Sequence, residues 1–249
     1  VQWLEYGASH TQEDFYRFIQ VARSRLGAPI CCGSNAIYRR EALNSIGGTV
    51  QIEHSEDAYT GFELLNKGWK VKFIPIILAI GLCPADLHSY FHQQHRWASG
   101  SLSLMLSKKF WKSDISVVQK LCFISGFMYY LSHPIMILFS FQIFILLFLF
   151  QNNLSLWNAL PFVPCILFAF FVVPLFRITR ARWGGFLARN AYLYSYSHAT
   201  VVAFLKQSVG WQPAGAKRLS VSRAYMEQLS FVAIYFLVYM TLVAFSIGA

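Results

Sequence analysis

Two adjacent carboxylates, Glu56 and Asp57, are the sharpest chemical signal in the sequence. Two such groups side by side are candidates for acid–base chemistry. They follow Ser55 at the predicted start of a helix, where the helix amino end favours anions and a serine can cap free N–H groups. Capping alone explains many acidic pairs of this kind. The pair therefore stays open to both interpretations until its neighbours are considered.

A second group of residues, Gln93, Arg96 and Trp97, has helical spacing of i, i+3 and i+4. On a helix these three side chains share one face. They offer an amide, a guanidinium that can grip a diphosphate with two hydrogen bonds, and an indole ring on which a sugar can stack. A helix at a membrane surface, with Trp97 among lipid headgroups and Arg96 snorkelling, explains the pattern equally well.

The elements that must position these residues are predicted over residues 1–113, as an α/β segment. Residues 13–26 predict a helix that stops at Gly27, and residues 57–67 predict a second helix that ends at Gly68. Residues 30–39 and 69–74 read as strands. The apolar face of the first helix is expected at Phe15, Phe18, Ile19, Ala22 and Leu26.

The composition excludes an ordinary soluble protein, because 56% of the residues are hydrophobic and only 13% are charged. The net charge of +10 comes without a basic helical stripe or a recognition motif for nucleic acid. A phosphorylated substrate or an anionic membrane surface explains the charge better. The five cysteines have no CxxC spacing, which indicates reduced thiols rather than a zinc site.

Beyond Asp114, long apolar stretches predict membrane helices over residues 121–150, 157–176 and 229–247. Residues 177–223 contain eight Lys or Arg and no acidic residue, so this stretch and the front segment are expected to face the cytoplasm. The predicted units are residues 114–176, 177–227 and 228–249. The middle unit contains an expected amphipathic helix on the membrane surface, with its apolar line at Leu187, Ala191, Tyr194, His198, Val202 and Leu205.

The order of these motifs resembles the processive family 2 glycosyltransferases, which include bacterial cellulose synthase, hyaluronan synthase and chitin synthase. The resemblance lies in the Ser-Glu-Asp at 55–57, the Gln-x-x-Arg-Trp at 93–97 and the membrane helices behind them. The segments at residues 32–43 and 61–69 resemble the same family. The likeness covers nearly the whole chain, and the joint order is more specific than any single motif.

The resemblance implies a role for each candidate residue. Asp57 would be the general base for the acceptor hydroxyl, and Glu56 would raise its basicity by repulsion. Gln93 and Arg96 would hold the nucleotide diphosphate, and Trp97 would be the platform for the acceptor. The acceptor pocket would be lined by Cys32, Gly33, Ser34 and Asn35, for which a tight turn is the alternative.

A gating loop over the nucleotide sugar is implied for the segment around residues 211–218. Its candidate residues are Trp211, Pro213, Lys217 and Arg218. The family often has threonine where this chain has Ala214 or Gly215, so a plain loop beside the membrane is the alternative.

The resemblance further implies a fold and a reaction. The fold would be the carboxyl-side half of a GT-A glycosyltransferase domain followed by three membrane helices, in a protein of the inner or plasma membrane. The reaction would be inverting, processive transfer from a UDP-sugar to a β-linked polysaccharide. The Mg²⁺ or Mn²⁺ ligands, an Asp-x-Asp, are expected upstream, since none occurs here, and this segment alone is expected to be inactive.

Two other functions remain as alternatives. One is a non-processive transferase acting on a lipid-linked acceptor, with the membrane helices as an anchor. The other is a transporter or scaffold without enzymatic activity, which would leave Glu56, Asp57 and the Gln93–Trp97 motif unexplained. The sequence does not indicate the polymer, the linkage or which accessory proteins take part.

Overall fold

The structure is a computed structural model that describes residues 2–52, 54–150, 160, 163–167, 182–205, 230, 233–234, 237–238 and 241. Helices dominate these residues. In chain order they are α1 (Gln2–Asp14), a π-helical turn (Phe15–Ile19), α2 (Gln20–Arg25), α3 (Arg40–Ser45), α4 (Glu56–Asn66), α5 (Leu87–Leu106), α6 (Lys108–Trp111), α7 (Val117–Phe150), α8 (Val163–Leu167) and α9 (Arg182–Phe204).

The two predicted strands are wrong, because residues 30–39 and 69–74 form neither strand nor helix, and the chain bends at residues 33–35. A strand needs a neighbouring backbone as its hydrogen-bond partner. At Ile30 that partner is a side chain: the Gln20 amide donates to the Ile30 carbonyl at 2.7 Å and accepts from the Ile30 N–H at 3.0 Å. Within the described part of the chain, no residue lies in a β-strand.

The predicted helix ends at glycine are confirmed. Gly27 has a φ of +73° and ends α2, while Gly68 has a φ of +82° and follows α4. Behind Gly68, the Trp69 N–H donates to the Leu64 carbonyl at 2.9 Å, which satisfies a free carbonyl at the helix end. The two glycines take the left-handed conformation that other residues adopt only at a cost.

The predicted apolar face of the first helix is not buried. Phe18 and Ile19 are 46% exposed and Leu26 is 52% exposed, whereas Gln20 and Arg23 are buried. The π-helical turn explains the difference, because it contains Phe18 and Ile19 and its wider backbone breaks the regular 3.6-residue period on which the predicted face depends. Buried Arg23 donates to the carbonyls of Ala28 and Cys122, and so joins α2 to α7.

Two apolar clusters hold the helices around α5. The first joins α5 to α1 and α9, and its buried members are Leu4, Ala8, Tyr90, Ala98, Ala188, Tyr192, Tyr196 and Ala199. The second joins α4, α5, α6 and α7 through Phe62, Leu65, Leu104, Phe110, Ile115, Phe123 and Phe127. The helix that carries Gln93–Trp97 therefore lies between both clusters, which fixes its position from two sides.

One helix among the described residues is long and apolar enough to cross a membrane, at Val117–Phe139 within α7. It overlaps the first predicted membrane helix and contains Pro134. The second and third predicted membrane helices fall mostly outside the described residues.

The predicted surface helix is helical as α9. Of its predicted apolar line, Val202 is buried, Tyr194 is partly buried, and His198 and Leu205 are exposed. The buried side of α9 is formed by Ala188, Tyr192, Ser195, Tyr196, Ala199 and Val202. Apart from Val202, the buried residues of α9 are small or aromatic.

Candidate active site

The acidic pair begins α4 in a strained turn. Ser55 lies at the helix start with a φ of +58°, a conformation that is uncommon for any residue other than glycine. Its side chain makes no capping hydrogen bond, contrary to the capping interpretation of the sequence. Its hydroxyl instead donates to the backbone carbonyl of Arg96 at 3.5 Å, the long end of the hydrogen-bond range. The turn thus touches the helix of the second motif.

Asp57 lies partly buried at this turn, while Glu56 is exposed. Burial raises the pKa of the Asp57 carboxyl above its usual value, and repulsion from Glu56 adds to the rise. Hydrogen bonds from the backbone N–H groups of Ala58, at 2.7 Å, and of Gly33 act in the opposite direction. A carboxylate that is held by backbone donors and has a raised pKa is suited to accept a proton.

The Cys32–Asn35 segment lies against Asp57. A Cβ atom added to Gly33 would lie 3.3 Å from Asp57 Oδ2, so a larger residue would crowd the carboxylate. Burial raises the pKa of the Cys32 thiol, which is therefore not an activated nucleophile. Ser34 and Asn35 are exposed, and Asn35 has a φ of +55°. The chain therefore bends at residues 33–35, with Gly33 next to the Asp57 carboxylate, and the role of this segment as an acceptor pocket stays a prediction.

The second motif is helical, as predicted, and lies in the middle of α5. Trp97 is 37% exposed, which leaves its indole ring accessible. The Gln93 Oε1 atom is buried without a hydrogen-bond partner within the described structure. An orphaned buried acceptor is costly, so Gln93 is poised to accept a bond from a ligand or a water molecule.

Gln94 has a structural role that the sequence did not reveal. It is buried, and its Oε1 atom accepts a hydrogen bond from the Tyr196 hydroxyl of α9 at 2.6 Å. The motif helix is thereby fixed to α9 by a buried side-chain pair. Sequence reasoning missed the pair, because nothing in the spacing along the chain links residues 102 positions apart.

A group of histidines beside Arg96 was also missed. The rings of His95 and His198 lie 5.1 Å apart, and burial, followed by the charges of His198, His54 and His92, lowers the pKa of His95 to about 4. His95 is therefore neutral at physiological pH. The spacing of His88, His92 and His95 along α5 was the available signal, because it places them along one stripe of the helix.

Some of the candidate residues come together in the structure, and others lie outside its described part. The acidic turn, Gly33 and α5 come together in one place, through Ser55 and Arg96. The predicted gating residues, Trp211, Pro213, Lys217 and Arg218, lie outside the described residues.

No group of three or more His, Cys, Asp or Glu within the described part of the chain has the arrangement of a metal site. These residues alone therefore do not offer a ligand set for a divalent cation.

Comparison with known proteins identifies the class. The model of glycosyl transferase family group 2 matches residues 2–247. The chain therefore belongs to this glycosyltransferase family.

Three relatives with similar sequences are cellulose synthases. Over 113 residues the chain is 34% identical to the UDP-forming cellulose synthase 1 catalytic subunit of Komagataeibacter xylinus, a match that covers 45% of the chain and 15% of the relative. It is 36% identical over 95 residues to a UDP-forming cellulose synthase catalytic subunit of Dictyostelium discoideum, covering 38% of the chain and 9% of the relative. With cellulose synthase 2 of Novacetimonas hansenii the identity is 32% over 149 residues, or 59% of the chain and 9% of the relative. The chain thus spans a small part of these relatives.

Proposed function

We propose that the full-length protein is an inverting, processive glycosyltransferase that extends a β-linked, glucan-like polysaccharide from a UDP-sugar. The observation that carries the proposal is the Asp57 carboxylate, which is partly buried, has a raised pKa and lies in a turn that contacts the helix of Gln93, Arg96 and Trp97. The names of the cellulose synthase relatives support the polymer class and the UDP-linked donor.

The proposed reaction is a single displacement. Asp57 accepts the proton of an acceptor hydroxyl as its oxygen bonds to the anomeric carbon of the donor sugar. The bond from that carbon to the diphosphate oxygen breaks, and the nucleoside diphosphate leaves with the electron pair. One displacement inverts the configuration, so a single base is sufficient.

The residues of α5 would act on the two partners of this reaction. The Arg96 guanidinium would bind the departing diphosphate and stabilise its charge, and Gln93 would add a polar contact from its unpartnered amide oxygen. The exposed Trp97 ring would stack on the acceptor sugar. A divalent cation, Mg²⁺ or Mn²⁺, is expected for the complete enzyme on ligands other than the described residues.

The membrane context forms part of the proposal. Cellulose-like chain growth is proposed at the inner or plasma membrane, with the Asp57 side in the cytoplasm where UDP-sugars are available. The apolar helix at Val117–Phe139 supports a membrane location. Passage of the polymer through the membrane would follow from processivity.

The test of the base is Asp57→Asn in the full-length protein, assayed in membrane vesicles with radiolabelled UDP-glucose. Loss of a general base is expected to slow polymer synthesis by about 10²–10⁴-fold. Asp114→Asn is the matched control, because Asp114 is an exposed aspartate outside the candidate active site. Polymer synthesis at the wild-type rate by Asp57→Asn would refute the assignment.

Processivity is tested by product length with Trp97→Ala. Loss of the stacking platform is expected to shorten the product, because the growing chain dissociates between additions. Products as long as those of the wild type would remove the argument for a platform. Single additions to a lipid-linked acceptor by the wild type would favour the non-processive transferase, and no sugar transfer at all would favour a transporter or scaffold.

A further inference from the structure

Gly100 lies in the interior of α5, one turn after the Arg96–Trp97 pair, and is buried. A Cβ atom placed there would overlap the Oγ and Cβ atoms of Ser55 and would lie 3.1 Å from the His54 carbonyl oxygen. The overlap with Ser55 is closer than real Cβ contacts come. No larger residue fits at this position without moving the turn before the acidic pair.

Local helix chemistry does not explain this glycine. Glycine is less favourable than alanine inside a helix, because it loses more backbone freedom on folding. The close approach of the Ser55 turn does explain it, since only a residue without a Cβ atom leaves the required space. Ser55 contributes to the same contact with its left-handed backbone and its hydrogen bond to the Arg96 carbonyl.

Another helical glycine provides a comparison. At Gly126 in α7, the nearest atom to an added Cβ would be Arg23 Nη1 at 3.7 Å, which is an ordinary contact distance. Alanine would fit there. A helical glycine of this chain is therefore not restricted in general, and the restriction at Gly100 comes from its contact with the acidic turn.

We propose that Gly100 is a positioning residue that sets the separation between the Asp57 carboxylate and the Arg96–Trp97 face of α5. The inference rests on the proposed function, because it assigns the purpose of the contact to sugar transfer. Asp57 lies two residues after Ser55, so a displacement of Ser55 moves the carboxylate with it. Gly100 touches no substrate in this proposal and acts only through the turn.

The expected size of the effect follows from the geometry. Relieving the overlap to an ordinary contact requires the turn or α5 to shift by on the order of 1 Å. A misplacement of about 1 Å between reacting groups can cost about 10²-fold in rate. The expected loss therefore falls on kcat more than on KM for the UDP-sugar.

The test compares four variants of the full-length protein in vesicles: Gly100→Ala, Ser55→Gly, the double variant, and Gly126→Ala as the control. Gly100→Ala is expected to lower kcat by about 10²-fold. The double variant is expected to recover at least tenfold of that loss, because glycine at position 55 removes the two Ser55 atoms that the new methyl group overlaps and suits a φ of +58°. Gly126→Ala is expected to keep the wild-type rate.

Hydrogen exchange gives a second measurement that needs no enzymatic activity. The amides of residues 56–60 are expected to exchange faster in Gly100→Ala than in the wild type and to regain protection in the double variant. If Gly100→Ala does not fold, a folded and active double variant supports the proposal, and an unfolded double variant overturns it.

The outcomes separate the two proposals. Wild-type kcat and wild-type exchange in Gly100→Ala would overturn the positioning role, as would a double variant no better than Gly100→Ala. If the wild type transfers no sugar, the proposed function fails. The exchange data then decide alone whether Gly100 holds the acidic turn: restored protection in the double variant supports the contact, and unchanged exchange in Gly100→Ala overturns it.

Discussion

The two sides of α5 are attached to their neighbours in different ways. On the side of the acidic turn, Gly100 has no side chain, so the Ser55 side chain packs directly against the backbone of α5. On the side of α9, buried polar and aromatic side chains form the contact, led by the hydrogen bond from Tyr196 to Gln94. The first attachment depends on shape together with one long hydrogen bond from Ser55, and the second depends on apolar packing together with a buried hydrogen bond. Changes on the first side should therefore affect activity, and changes on the second should affect stability.

Asp57→Asn is expected to cause the largest loss of activity among these variants, without a loss of stability. The raised pKa means that the folded state binds the Asp57 proton more tightly than the unfolded state does. The charged carboxylate therefore costs stability, and that cost grows as the pH rises from 3.8 through the raised folded pKa. Polymer synthesis is expected to fall by about 10²–10⁴-fold, while the free energy of unfolding at pH 7 stays equal or increases.

Thermal unfolding of the full-length protein in detergent measures the stability part of this expectation. A clear decrease in the melting temperature of Asp57→Asn would show that the carboxylate holds the turn together. In that case, a change on the acidic-turn side of α5 would affect stability, as is expected for the α9 side.

Tyr196→Phe tests the α9 side. Removing the hydroxyl leaves the buried Gln94 Oε1 atom without the hydrogen bond from Tyr196, at a cost of about 1–3 kcal/mol. The free energy of unfolding should fall by that amount, with kcat of the folded enzyme nearly unchanged. Tyr6→Phe is the control, because Tyr6 is 63% exposed. A large loss of kcat without loss of stability would mean that α9 positions the site as well.

The helix ends and the helical state of both motifs could be predicted from the sequence, because glycine stops and i, i+3, i+4 spacings are local signals. Which faces are buried could not. The π-helical turn before Gln20 shifts the pattern by one residue, and on α9 the buried side includes Tyr192 and Tyr196, which were not part of the predicted line. Apolar character is a poor guide to burial in a chain with as many hydrophobic residues as this one.

The residues of the candidate site could be selected from the sequence, but the contacts that hold them in place could not. Asp57, Gln93, Arg96 and Trp97 were recognisable from residue type and order. The contacts that hold them depend on pairs that are distant along the chain, such as Ser55 with Gly100 and Gln94 with Tyr196. The strands were mispredicted for a related reason, because a pleated pattern does not show whether a partner backbone is present.

His95→Gln is expected to have a smaller effect, a change in how the free energy of unfolding falls in acid. The folded pKa of about 4 lies below the ordinary value of 6.5, so the folded state binds fewer protons between these values. The stability contributed by neutral His95 is present above pH 6.5 and is lost as the pH falls towards 4. From pH 8 to pH 5.5 the wild type should lose about 1 kcal/mol more than the variant does.

Unfolding of both proteins at pH 8 and pH 5.5 checks the expectation for His95. The groups whose charges lower its pKa are His198, His54 and His92. Equal losses in both proteins would show that His95 does not titrate in this range.

Glu63→Gln gives the smallest expected effect and tests whether charge, rather than shape, holds the acidic turn. Glu63 of α4 pairs with Lys109 of α6 at 2.7 Å, but the Lys109 side chain is 62% exposed, so its charge keeps its hydration. The glutamate is the partner to change, because Lys109→Gln would leave a nearly buried carboxylate without its cation. The loss of the ion pair should cost less than about 1 kcal/mol, and this difference in stability between wild type and variant should disappear in high salt.

The contact between the Phe62 and Phe110 rings, with centroids 5.8 Å apart, remains in the Glu63→Gln variant and keeps α4 in place. Polymer synthesis should therefore continue at the wild-type rate, whereas a loss as large as that expected for Gly100→Ala would mean that the turn is held by charge.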